Sequence, residues 1–403
     1  MDFGCDVRQW RVVAAICVVA AVTACSPGTF NFGSRTLDFS DPPASNQPMT
    51  MLPAGPSESF GRGPVPVTLL LPLSGDPTLA GVGRSLANAS RLAIGFIEAN
   101  PNIAENITIT LRDTGGTAAG ATAAASAAIS SGARLILGPL GGEEVLAASG
   151  VARAAGVPMM AFSNNPAAAG QGVYLLSVLP EVEMKRAVAY ITQQGRRGMA
   201  AAFPATPYGE ALAAAFRQQV AAAGLSPQSI FTYASASDLV PIVNQALPDI
   251  QRGAIDTLFI PDRSAAQPVA QMLAQAGVMN VQLVGSADWE NDATLLANPA
   301  LANAVFPAVD RAGLLAITPD YQARFGAPPH AMATIAYTAT ILANVNTLSL
   351  ATPPYNPGLM TSGAGFNGRD GVFRFLPNGR AEYGLVIKQI SGGAAVVVDG
   401  VRI

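Results

Sequence analysis

Side chains able to do nucleophilic, acid–base or metal chemistry are few in these 403 residues. One histidine (His330) and three cysteines (Cys5, Cys17, Cys25) must supply any imidazole or thiolate. The cysteines all lie within the first 25 residues, so no His/Cys zinc site can be assembled in the body of the chain. A Ser-His-Asp or Cys-His hydrolase would rest on His330 alone, which follows Pro328-Pro329 at the start of a helical pattern and reads as a capping or surface residue. Ser74, Ser163 and Ser286 are not flanked as G-x-S-x-G nucleophiles. Gly81-Val82-Gly83 is followed by Leu86 where a dinucleotide fingerprint needs glycine. Asp288, Glu290 and Asp292 are spaced like the start of a calcium loop, but Ala293 replaces the turn glycine and Pro299 the bidentate glutamate. No catalytic residue, metal or cofactor is expected.

What remains is recognition by hydrogen bonds. Polar residues follow each apolar run: Ser74-Gly75-Asp76, Asp113-Thr114-Gly115-Gly116, Gly141-Gly142-Glu143 and Ser163-Asn164-Asn165, then Thr206 and Tyr208, Ser235 and Ser237, Asp262 and Arg263, and Ser286, Asp288 and Trp289. Singly, such residues read as helix caps or turn formers. As a set facing one cleft they suit a carboxylate or a neutral polar group held at exposed helix N-termini.

The elements that must position them repeat one unit. Apolar runs at 65–73, 106–113, 133–140 and 157–163 form one series, and 198–204, 229–235, 256–262 and 281–287 a second. Continuous apolar runs without alternation predict parallel strands covered on both faces. Helices lie between them. Val82, Leu86, Ala89, Ala93, Phe96 and Ile97 share one face of the first, and Leu212, Ala215, Phe216 and Val220 one face of another. The alternation predicts an α/β protein with two doubly wound, Rossmann-like lobes, whose ligands sit at the carboxyl ends of the strands. Residues 371–390 read as an antiparallel hairpin around Pro377-Asn378-Gly379. The net charge of −3, with two lysines and scattered arginines, offers no nucleic-acid surface.

The N-terminus accounts for the cysteines. Arg8 and Arg11 precede an apolar stretch from Val12 to Ala24, shorter than the about 20 residues of a spanning helix and laid out as an export signal. Val22-Thr23-Ala24-Cys25 resembles a bacterial lipobox, which implies cleavage after residue 24 and a lipid anchor on Cys25. Ser26 after the cysteine favours the outer membrane by resemblance to the enterobacterial sorting rule. Residues 26–64 hold seven Pro, five Gly and six Ser and read as a tether spanning roughly 35 Å as a coil.

The runs P-L-S-G near 72, D-T-G-G at 113–116, I-L-G-P-L at 136–140, G-V-P-M-M-A-F-S-N at 156–164, P-Y-G at 207–209, F-G-A-P-P near 325 and G-F-N-G-R-D-G-V-F-R-F at 365–375 resemble the leucine/isoleucine/valine-binding protein superfamily in order and spacing. The resemblance covers about residues 65–391. It implies a type I periplasmic-binding fold: two lobes joined by three crossover segments, residues 65–178 plus 306–352 forming lobe 1 and 179–305 plus 353–403 lobe 2. By position it places Gly141, Gly142, Ala161, Ser163, Tyr208 and Ser286 in the ligand cleft, beside Ser74, Asn164, Asp262 and Asp288 from the loop reading. Amino-acid-binding members carry Ser or Thr after I-L-G-P-L to hold the ligand carboxylate; here Gly141-Gly142 stands there, and only Asp288, out of register, offers the acid that would hold the ammonium.

Within the superfamily, F-S-N-N, the lipobox, the tether and F-R-F-L-P-N-G-R-A-E-Y-G-L look closest to penicillin-binding protein activators. That resemblance implies a non-catalytic lipoprotein facing the periplasm and partnering a peptidoglycan synthase. The alternative is the substrate-binding protein of an ABC transporter, delivering an amino acid or similar small polar ligand to a permease.

Overall fold

A computed structural model describes residues 57–403. The export signal, Cys25 and most of the expected tether lie outside the described residues. The strands of the first lobe are β1 (Glu58–Phe60), β2 (Val65–Leu71), β3 (Ile107–Asp113), β4 (Leu135–Leu137), β5 (Met159–Ala161) and β6 (Val173–Leu175), in the order β1-β3-β2-β4-β5-β6. All neighbours are parallel except the β1–β3 pair. Helices α1 (Pro77–Ala99), α2 (Ala118–Ser130) and α3 (Gly142–Ala154) cross between them. On α1 the expected face is buried apart from Phe96, which is 45% exposed; Ile94 takes the inward position instead. β1 falls inside the segment read as tether. It is held by backbone pairing to β3 and by Glu58, which accepts two hydrogen bonds from the Arg91 guanidinium (2.9 and 2.5 Å).

Seven strands build the second sheet: β7 (Met199–Pro204), β8 (Ser229–Tyr233), β9 (Thr257–Phe259), β10 (Gln282–Val284), β11 (Val305–Ala308), β15 (Leu385–Ser391) and β16 (Ala394–Arg402), ordered β16-β15-β11-β10-β9-β7-β8. Its helices are α4 (Pro180–Gln193), α5 (Pro207–Ala222), α6 (Leu239–Gln251) and α7 (Arg263–Gln275). β7 shows why these strands lack alternation. Met199, Ala201 and Phe203 pack with α4 and α5 on one face, while Ala200 and Ala202 pack with α6 and α7 on the other.

A short helix α8 (Ala293–Leu296) precedes β11, and α9 (Ala312–Phe325) and α10 (Ala333–Asn344) follow it. Both return to the first core, where Ile317, Tyr321, Ala336 and Ala339 are buried. The small sheet β12 (Phe366–Gly368), β13 (Gly371–Phe375), β14 (Ala381–Tyr383) contains the expected hairpin turn. It belongs with the first lobe, whereas the sequence division assigned all of 353–403 to the second. Phe373, Phe375 and Tyr383 are buried in the first core, Phe375 lies 5.3 Å from Tyr174, and Gly379 at the turn accepts a hydrogen bond from the Leu175 N–H (2.8 Å). Conversely β11, divided by the expected boundary at 306, lies wholly in the second sheet. The chain passes between the lobes after β6, after β11 and between β14 and β15.

Candidate functional site

The first-lobe rim is organised by two carboxylates that the sequence reading did not single out as site residues. Asp113, ending β3, accepts hydrogen bonds from the Leu73 N–H (2.8 Å), the Gly115 N–H (2.8 Å) and the Ser74 hydroxyl (2.5 Å). Partial burial would raise its pKa, but these bonds, with that from the Ser74 N–H, outweigh it and hold the carboxyl below its usual range. The Ser74 hydroxyl is therefore spent as a donor to the end of the neighbouring strand. Glu144, in the first turn of α3, is buried; its carboxylate accepts the Gly141 N–H (2.9 Å) and the Thr114 hydroxyl. Burial, with the charge of Asp113 added, raises its pKa against those bonds.

Each of the two glycines has a side chain close against it. A Cβ on Gly141 would stand 2.6 Å from Glu144 Oε2, and one on Gly142 3.0 Å from Asn165 Nδ2. The N-terminus of α3, a natural seat for an anion, already carries one. Ser163 is buried and its hydroxyl accepts the Asn165 N–H (3.2 Å), leaving the Asn164 side chain exposed. Ala161 has no exposed surface and sits inside β5 as a core residue.

In the second lobe, Tyr208 stands at the start of α5 near the carboxyls of Glu183, Asp288 and Asp262, and burial first, then these neighbours, push its hydroxyl well above its usual pKa. Asp262 caps α7 through the Ser264 N–H (2.8 Å) and accepts the Tyr233 hydroxyl (2.8 Å). The buried Ser286 donates to the Pro261 carbonyl (2.8 Å). Asp288 is exposed and lies 3.5 Å from Arg263 Nε. Glu183 on α4 was missed from sequence, since an acid in a first helical turn reads as dipole compensation. Burial pushes its carboxyl up to about 8, against a hydrogen bond from the Ala287 N–H and assisted by the nearby charge of Asp288.

Where the crossovers meet, a pocket of about 200 Å³ is lined by Ser177, Glu290, Arg311, Thr334, Asp370 and Tyr383 among others. Glu290 is held by Lys388 (2.6 Å) and Arg311 (3.2 Å). Burial pushes Asp370 up to about 6, with a Thr334 hydroxyl bond opposing. The calcium-like trio thus disperses: Asp288 to Arg263, Glu290 to Lys388, and Asp292 to the Thr294 and Leu295 N–H groups of α8. Among the described residues no group of three or more His, Cys, Asp and Glu could hold a metal ion. His330 lies in the turn before α10, its Nδ1 accepting the Met332 N–H (3.2 Å).

Two α/β lobes, three crossovers and polar loops at the strand ends are the architecture of a two-lobed binding-protein fold. The sequence matches the periplasmic binding protein family over residues 64–390, and the chain belongs to that family. Its fold is that of the leucine-binding type. A leucine binding protein, LivK, from Thermotoga maritima is 17% identical with a TM-score of 0.59, covering 84% of this chain and 99% of that one. An ABC transporter substrate-binding protein from Desulfitobacterium hafniense in complex with Leu is 19% identical with a TM-score of 0.63, covering 83% and 99%. The C-domain of LpoA (YraM) from Haemophilus influenzae, a regulator of PBP1A, is 17% identical with a TM-score of 0.62, again covering 83% and 99%. No curated protein matches the sequence.

Proposed function

We propose that this chain is a non-catalytic lipoprotein, anchored through Cys25 and facing the periplasm from the outer membrane, whose two-lobed domain docks on and regulates a penicillin-binding peptidoglycan synthase. The observation that carries the reading is the α3 N-terminus. The Glu144 carboxylate takes the Gly141 N–H, where a solute receptor for amino acids would offer a hydroxyl and free N–H groups to its ligand. A second carboxylate brought there would meet like charge. Ser74 and Ser286 spend their O–H groups on Asp113 and the Pro261 carbonyl, which suits a frame shaped for its own rigidity. The lipobox at Cys25, the tether and the fold shared with the LpoA C-domain support the same reading.

The second reading is the substrate-binding protein of an ABC transporter, favoured by Asp262 and Asp288 near Tyr208, which suit a ligand ammonium. Two measurements separate the readings. Crosslinking in membranes is expected to recover a penicillin-binding protein, and failure to recover any sinks the docking role. A thermal-shift screen of amino acids is expected to be flat, because a true ligand at 100 times its dissociation constant would add about 2.7 kcal/mol.

A further inference from the structure

None of the residues expected in the cleft lines the pocket of about 200 Å³ where the crossovers meet. Its wall draws on all three passages between the lobes: Ser177 follows β6, Val309 and Arg311 follow β11, and Tyr383 ends β14. Most of that wall is apolar, from Val178, Val309, Leu314, Met332 and Ile335. Ser177 and Tyr383 are 7% and 3% exposed, and among the described residues neither hydroxyl has a hydrogen-bond partner, although a buried hydroxyl ordinarily finds one. Asp370 stands in the same wall with no ion pair among the described residues. The adjacent Arg369 guanidinium lies over the Tyr337 ring, 4.8 Å from its centre, and the other acid of the wall, Glu290, is matched by Lys388 and Arg311. Burial pushes the Asp370 carboxyl up to about 6 with the Thr334 hydroxyl alone opposing, so no cation balances it.

We propose that this pocket binds a short aliphatic primary amine, with the ammonium on Asp370 and the chain along the apolar wall. An ammonium carries three donors, for which the carboxylate and the Ser177 and Tyr383 oxygens are the unspent acceptors. At the roughly 30 Å³ that one water molecule takes up in the liquid, the pocket has room for about six heavy atoms, too few for a peptide or a sugar. An amino acid fits worse than an amine. Its carboxylate would need a cation, and Arg311 and Lys388 are both spent on Glu290. An amine held there would touch all three passages between the lobes, whether the chain docks on a synthase or serves a permease.

Calorimetric titration of the full chain in mild detergent with n-pentylamine is expected to show one amine bound per chain. The comparators 1-pentanol, pentanoate and leucine are expected to bind at least about tenfold more weakly, since each lacks the cation or brings an unmatched carboxylate. Asp370→Asn, which keeps the shape and removes the charge, is expected to weaken the amine at least about tenfold with unchanged circular dichroism. Tyr383→Phe removes one acceptor and leaves the carboxylate, so it is expected to weaken the amine by a smaller factor, and it tests the site even where Asp370→Asn fails to fold. No uptake of millimolar pentylamine overturns the proposal, as does leucine binding as tightly as the amine. Uptake unchanged in both variants would place the amine elsewhere on the molecule and equally overturn it.

Discussion

Glu183 shows how far one side chain can be moved by its place. In the first turn of α4 it would ordinarily be an ionised, exposed acid; here it is buried, and burial lifts its carboxyl to about 8 against the bond it accepts from the Ala287 N–H. A folded pKa above the unfolded value of about 4.5 means the fold favours the protonated form. The cost of charging therefore accumulates as pH climbs from about 4.5 to 8. Glu183→Gln, which keeps the neutral shape, is expected to melt progressively higher than the parent chain as pH rises through that window. The difference should level off above it; a difference independent of pH would show that the site does not titrate. Asp288 faces the same group, so Asp288→Asn is expected to narrow the effect. The same scale holds the main departure from the expected cleft. Gly141 and Gly142 were legible as an anomaly in the loop after β4, but what stands against them, Glu144 folded back on the Gly141 N–H and Asn165 beside Gly142, depends on side-chain placements that spacing does not specify.

Elements were more legible than contacts. The runs read as strands contain the observed β2 to β5 and β7 to β10; β4, β5 and β9 are buried throughout, as strands covered by helices on both faces must be, whereas β3 and β8, nearer the sheet edges, alternate. The hairpin of β13 and β14 was equally plain, yet its lobe was not: what assigns it is the docking of Gly379 on β6 and the packing of Phe375 against Tyr174, both long-range. At the end of β10, Gly285 lets the buried Trp289 ring lie on the backbone; a Cβ there would stand 2.3 Å from the indole. Gly285→Ala is expected to destabilise the chain by about 1–3 kcal/mol through overpacking, read from the urea midpoint. Pairing it with Trp289→Phe should cost less than the sum of the two changes, since the smaller ring leaves room for the methyl. Strict additivity would mean that the contact is relieved elsewhere.

At the scale of the molecule, the lobes are joined by three passages of chain, and the second lobe is completed by residues far apart in sequence. Arg186 on α4 donates to the Leu385 carbonyl (2.8 Å), the Gly400 carbonyl (2.9 Å) and Asp399 (2.6 Å), tying the first crossover helix to β15 and β16. Arg186→Ala is expected to cost about 2–3 kcal/mol, toward the low side for a buried pair because Asp399 keeps contact with solvent. Thermal unfolding of Arg186→Ala beside Asp399→Ala, with the double variant, tests whether the two act as one unit. By itself the amino-acid sequence determined the α/β class, the two series of strands and the poverty in catalytic side chains, since composition and periodicity record which faces must be apolar; the superfamily came from the resemblance of its motifs in order and spacing. Tertiary structure alone decided which lobe owns the last strands, that the rim hydroxyls are already bonded, that Glu144 occupies the α3 N-terminus, and that Glu183 is buried. Each of these depends on distances between residues remote along the chain, and burial and hydrogen-bond partnership exist only once those residues have met.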